Sequence, residues 1–230
     1  MKIVNVIFLF IVLTALLSCN SKNNFDQKMN THDRLILENS FETADVHSAI
    51  YSIQSLLSRD TNNLGLMDTL TNLYLQIGNQ QSAFNLSGKI LEQKPENIEM
   101  LEIRGKTAAN IRRAQIAVDV YSKLFEIDKN TRYLYEIAVQ SFNTGNVSYG
   151  KKVVETIINS PRSKTDLYSY KLPNGQIIEI PVKAVAHYFI GSYNEVNGKE
   201  AEAINHYQKA LEIYPKYGLA ANKLRDILKL

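Results

Sequence analysis

The chain has 230 residues, with 26 lysines and arginines against 23 aspartates and glutamates, a formal net charge of +3. So even a balance offers no field for nucleic acid. A single cysteine excludes an internal disulfide, so stability has to come from apolar stacking.

At the N-terminus Lys2 precedes an apolar run from Ile3 to Leu17, broken by Asn5 and Thr14, and ends in Leu16-Leu17-Ser18-Cys19. A basic start, a short apolar stretch and a small residue before the cut predict a secretory signal over 1–18, too short to span a bilayer comfortably. The last four residues resemble a bacterial lipoprotein signal. That resemblance implies cleavage before Cys19, diacylation of its sulfur (palmitate being the usual chain) and acylation of the new amino terminus. The alternative is an incidental cysteine. Two or more acyl chains anchor stably where one is marginal. Removing 1–18 takes away Lys2 and no acid, leaving a formal +2. Residues 19–29, the lipidated Cys19 and a polar, Asn- and Lys-rich stretch without helical periodicity, read as a flexible tether.

From residue 30 a ladder of small residues begins. Ala49, Ala83, Ala117, Gly150 and Ala203 recur at intervals of 34, 34, 33 and 53 residues. A period of 34 with one fixed small residue is what stacked helix-turn-helix repeats produce, because the second helix of each passes close to the first. The ladder places repeats at 30–63, 64–97, 98–130, 131–161 and 184–217. Counted from Leu64, the second has Leu70, Tyr74, Gly78, Ala83, Ile90 and Pro95 in phase, with Thr71 where a small residue is expected. The third has Leu101, Gly105, Ala108, Ala117, Tyr121 and Leu124, with Lys129 in place of proline. The first and fourth match at fewer places. Polar connectors, Asp60 to Asn63, Lys94 to Asn97 and Asp128 to Asn130, fall between repeats, as turns do.

Between the fourth and fifth repeats lies an insert, 162–183. Tyr168, Tyr170, Leu172, Ile178, Ile180 and Val182 alternate around Pro173-Asn174-Gly175-Gln176, which predicts a β-hairpin. Either the ribbon packs on the array and closes a gap left by the irregular fourth repeat, or it offers Tyr168, Tyr170 or a strand edge to a partner.

The fifth repeat carries Gly191, Gly198, Ala203, Tyr207, Ala210 and Pro215 at the eighth, fifteenth, twentieth, twenty-fourth, twenty-seventh and thirty-second places. In spacing and type these residues resemble the tetratricopeptide repeat. The resemblance implies an all-α, α-α superhelix of about five repeats, a solenoid that binds protein or peptide along the first helix of each repeat. Carried onto this sequence, that surface includes Asp68, Asn72, Gln76, Glu99, Glu102, Lys106, Asn110, Arg132, Tyr135 and Tyr188, or is simply a solvated face. The carboxylate clamp of related repeats needs lysine where Asp68 stands, so that activity is not expected. The helix 218–230 is expected to cap the array, with Leu219, Ala220, Leu224, Ile227 and Leu228 on one face and Lys223, Arg225, Asp226 and Lys229 on the other.

The four histidines, His32, His47, His187 and His206, form no metal-ligand spacing, although His187 and His206 could lie near one another. No phosphate-binding glycine loop or Gly-x-Ser-x-Gly elbow is present, so no enzyme activity, cofactor or metal is expected. The resulting expectation is a lipid-anchored tetratricopeptide lipoprotein of the bacterial envelope, an adaptor or scaffold, facing the periplasm from the outer membrane because no acidic run follows Cys19. Its layout is similar to the repeat-bearing lipoproteins of β-barrel assembly and type IV pilus assembly. The alternative is a lipoprotein that captures a nutrient, glycan or cell-wall fragment in an aromatic pocket between the hairpin and the fifth repeat.

Overall fold

The computed structural model describes residues 27–172 and 174–229. The signal segment, Cys19, the tether up to residue 26, Pro173 and Leu230 lie outside the described residues. Among those described, eleven α-helices follow one another in packed pairs, joined by one 3₁₀ turn and one two-stranded hairpin. They group into two compact bodies that meet in sequence at Gln93 and Lys94.

The first body holds α1 (27–42), α2 (Val46–Arg59), α3 (Leu64–Gln76) and α4 (Gln80–Gln93). Ala49, Ile50, Ile53, Leu70 and Leu73 form its core. Residues 27–29, read from composition as tether, are helical. The reason lies in Arg59, at the far end of α2. Its guanidinium donates to Asn30 Oδ1 at 2.6 Å and pairs with Asp33, giving the start of α1 partners that composition does not show.

The second body holds α5 (Ile98–Asn110), α6 (Ala114–Asp128), α7 (Thr131–Asn143), α8 (Val147–Asn159), strands β1 (Leu167–Lys171) and β2 (Ile177–Pro181), α9 (Val182–Val196), α10 (Glu200–Ile213) and α11 (Gly218–Leu228).

Every rung of the small-residue ladder is buried. The fifteenth place of all five repeats is left-handed: Ala44, Gly78, Arg112, Gly145 and Gly198 have φ between 56° and 78°. The repeat therefore imposes this turn whether or not glycine is there to ease it. Asn63, Asn97 and Asn130, each the last residue of a polar connector, cap α3, α5 and α7 by accepting a backbone N–H. Where the third repeat lacks proline, Lys129 takes a left-handed conformation and ends α6. Thr71 fits at its small-residue place by turning its hydroxyl back onto the Met67 carbonyl at 2.8 Å.

A 3₁₀ turn, Pro161–Lys164, straddles the boundary between the fourth repeat and the insert and precedes the hairpin. The strands are antiparallel, with Tyr168 opposite Ile180 and Tyr170 opposite Ile178. Tyr168, Ile178 and Ile180 pack into the cluster formed by Ala184, Val185, Ala203, Tyr207 and Tyr217. Asp166 docks the insert by accepting from both the backbone N–H and the hydroxyl of Thr131 at 2.8 Å, which gives α7 a second N-terminal cap from 35 residues away.

In α11 the expected two faces need correction at two residues. Leu228, assigned to the apolar face, is 45 % exposed. Lys223, assigned to the polar face, turns inward to donate to Glu195 at 2.9 Å. Both follow from the neighbour: α11 leans on α10 and α9, whose last turn supplies a carboxylate, and Leu228 reaches past them.

Candidate functional site

In the second body α5, α7 and β1 surround a recess of about 420 Å³. Helical spacing supplies its walls: Glu102, Lys106 and Asn110 stand four residues apart on α5, as do Arg132, Glu136 and Gln140 on α7, and all six line it. Tyr121, Tyr133 and Tyr168 add aromatic surface, and Ser169 closes one side.

Two polar arrangements occupy it. The Arg132 guanidinium donates to Glu102 Oε1 at 2.5 Å and to the Tyr133 hydroxyl at 2.6 Å, while that hydroxyl donates to the same carboxylate oxygen at 2.6 Å. The guanidinium also lies 4.7 Å from the centre of the Tyr133 ring, a cation–π contact. Burial, then the hydrogen bond to Glu102, pushes the Tyr133 hydroxyl up to about 12. Arg132 Nε is buried without a hydrogen-bond partner. The second arrangement centres on Glu136, which accepts from the Tyr168 hydroxyl at 2.9 Å. Burial raises the Glu136 carboxyl above its ordinary range, and Tyr168 and Lys106 oppose that only in part. Tyr121 is raised as well, first by burial and then by the Glu136 and Glu102 carboxylates.

Of the residues that sequence placed on the binding surface, the recess gathers Glu102, Lys106, Asn110 and Arg132, together with Tyr168 of the insert. Glu99 is exposed in the first turn of α5, away from it. Asp68, Asn72 and Gln76 lie along α3 in the first body, where Asn72 Nδ2 donates to the Asp68 carbonyl at 3.3 Å. Tyr135 packs edge-on against Tyr168 at 4.8 Å and Phe189 at 5.8 Å. Tyr188 packs 5.2 Å from Tyr217 and 5.7 Å from Tyr207. Tyr170 remains 38 % exposed. Sequence reasoning passed over Tyr133, Glu136 and Gln140. For Glu136 and Gln140 the available signal was the four-residue spacing from Arg132, and for Tyr133 there was none.

His187 and His206 do meet: their Nδ1 atoms are 3.1 Å apart, so one donates to the other. Among the described residues no three His, Cys, Asp or Glu side chains converge as metal ligands. Burial, then His206, Lys209 and Lys183, lowers His187 to about 4, and burial and Lys209 lower His206. A depressed histidine is neutral in the fold, and below about pH 6.5 the unfolded chain binds the extra proton. Stability is therefore full at neutral pH and declines as pH falls toward 4, by on the order of 3 kcal/mol for His187. Denaturant unfolding at pH 7.5 and 4.5 checks this, and His187→Gln should show the smaller loss.

The helix-pair stack, its small-residue contacts and its left-handed turns define the tetratricopeptide type of α-solenoid. No protein-family model matches the chain, and no curated protein matches it. Solved structures do. A crystal structure of MamA aligns with a TM-score of 0.60 at 20% identity, covering 83% of this chain and 94% of that one. MamA from Desulfovibrio magneticus RS-1, from residue 41 to its end, gives 0.58 at 13%, over 82% and 97%. YrrB, a tetratricopeptide-repeat protein with an unusual peptide-binding site, gives 0.57 at 15%, over 81% and 87%. At these identities the likeness shows the fold.

Proposed function

We propose that the protein is a lipid-anchored adaptor of the bacterial envelope that holds a peptide segment of a partner protein in the recess between α5, α7 and β1. The observation that carries this is the convergence of charged and hydrogen-bonding side chains on one open wall. Arg132 and Glu102 stay 40% and 41% exposed although they are paired. An open polar groove suits a chain that enters and leaves at its ends better than a small molecule, which favours enclosure. Peptide binding by YrrB supports the reading as an analogy of fold.

The anchor rests on Lys2, the apolar run and Leu16-Leu17-Ser18-Cys19, and outer-membrane attachment facing the periplasm is part of the same proposal. Cys19→Ala should abolish uptake of labelled fatty acid and release the protein from membranes. Mass spectrometry of an unmodified Cys19 in the mature chain ends the lipoprotein reading. For the groove, a photoreactive residue at Lys106 should crosslink a protein in intact membranes, and the same residue at exposed Glu126 on α6 should not. Equal labelling from both positions defeats the adaptor reading. Labelling only of a small glycan or peptidoglycan fragment would favour a ligand-binding lipoprotein instead.

A further inference from the structure

The hairpin leaves one strand edge open beside the recess. Leu172 N–H donates to the Gln176 carbonyl at 2.8 Å, and Val182 N–H donates to the Asp166 carbonyl at 2.9 Å. In this register those are hydrogen-bonded pairs, and so are Tyr170 with Ile178 and Tyr168 with Ile180. Alternation then turns the backbone N–H and C=O groups of Leu167, Ser169 and Lys171 away from β2. Among the described residues the sheet has two strands only, and Ser169 lines the recess. Open backbone groups of this kind template a further strand.

The charges of the recess select what that strand carries. Two carboxylates act on the Tyr121 hydroxyl. Glu102 is compensated by Arg132 at 2.5 Å. Glu136 has no ion-pair partner among the described residues and accepts only from a neutral donor, Tyr168. Lys106, the cation acting on it, is exposed. A half-buried carboxylate short of positive charge is stabilised by a cation brought to it.

We propose that an extended segment of the partner adds as a third strand along the open edge of β1 and delivers a lysine or arginine side chain to Glu136. This rests on the adaptor reading and specifies its ligand. An added strand lies about 4.8 Å from β1, and its residue beside Tyr168 projects to the same face. That face is the one from which Tyr168 reaches Glu136, so the geometry brings a cationic side chain to the carboxylate without moving the hairpin.

The test uses the full lipidated chain in detergent and a positional-scanning library of capped peptides about seven residues long, the span of a typical strand. One position should select lysine or arginine, and Glu136→Gln should weaken the best peptide by about tenfold and erase that preference. N-methylating the peptide backbone residue by residue should abolish binding at alternate positions. Ser169→Pro, which removes an outward N–H and leaves the β1–β2 ladder whole, should weaken binding without shifting the thermal midpoint. Binding that survives alternate N-methylation overturns strand addition and leaves the adaptor reading intact, because the protein itself is then unaltered. Absence of a basic preference, or indifference to Glu136→Gln, overturns the charge assignment. A library in which nothing binds overturns the inference as a whole, and the crosslink from Lys106 decides the adaptor reading separately.

Discussion

Gly191→Leu is expected to destabilise the protein by about 1–3 kcal/mol or more, seen as a lower thermal midpoint and a lower denaturant midpoint. A Cβ at Gly191 would lie 2.9 Å from Tyr207 Cε1 and 3.3 Å from the His206 Cβ. Tyr207 cannot yield easily. It is fully buried, and its hydroxyl is held by Glu195 and by Ser192. Gly218→Leu is the matched control, since a Cβ there meets nothing within 4 Å. Equal midpoints for both variants would mean that α9 and α10 do not depend on close approach at this residue.

Truncation after Tyr217 removes α11, and the isolated protein is expected to lose about 3–5 kcal/mol and to aggregate. Leu219, Leu224 and Ile227 would take their half-buried surface with them, at roughly 1 kcal/mol each, and buried Ala220 would follow. The Tyr188, Tyr207, Tyr214 and Tyr217 rings would lose their cover, and Glu195 its lysine. The end of a stacked array is apolar and needs such a lid. A truncated protein that stayed monomeric, with an unchanged midpoint, would assign α11 to a partner instead.

The α-solenoid was legible because its rule is local and repeated. A small residue every 34 positions marks a close helix contact, and the turn between the two helices has one workable backbone path. Ala44 and Arg112 show how far that rule reaches: neither residue favours a left-handed conformation, and both adopt it. The hairpin was legible for a similar reason, since alternation about an Asn-Gly turn assigns one face, and Tyr168, Ile178 and Ile180 are the residues it packs. The recess was legible in part. The resemblance to the repeat carried Glu102, Lys106, Asn110 and Arg132 onto this surface, while Glu136 and Tyr133 took on a role only with the partners that packing brings to them.

Sequence by itself determined the repeated features of this protein: the helix pairs, the buried ladder from Ala49 to Ala203, the polar connectors and the alternating strands. Each follows from a rule confined to one helix pair or one hairpin, where a short connector fixes which residues face each other. Tertiary structure alone decided which distant groups meet. Asp166 caps α7 from 35 residues away, and Tyr168 reaches Glu136 across 32. It also decided that Tyr188 packs in a core cluster and that Lys223 turns inward to Glu195. Those outcomes follow from how whole helices lean on their neighbours, and a sequence separation of thirty residues carries no distance until the packing is settled.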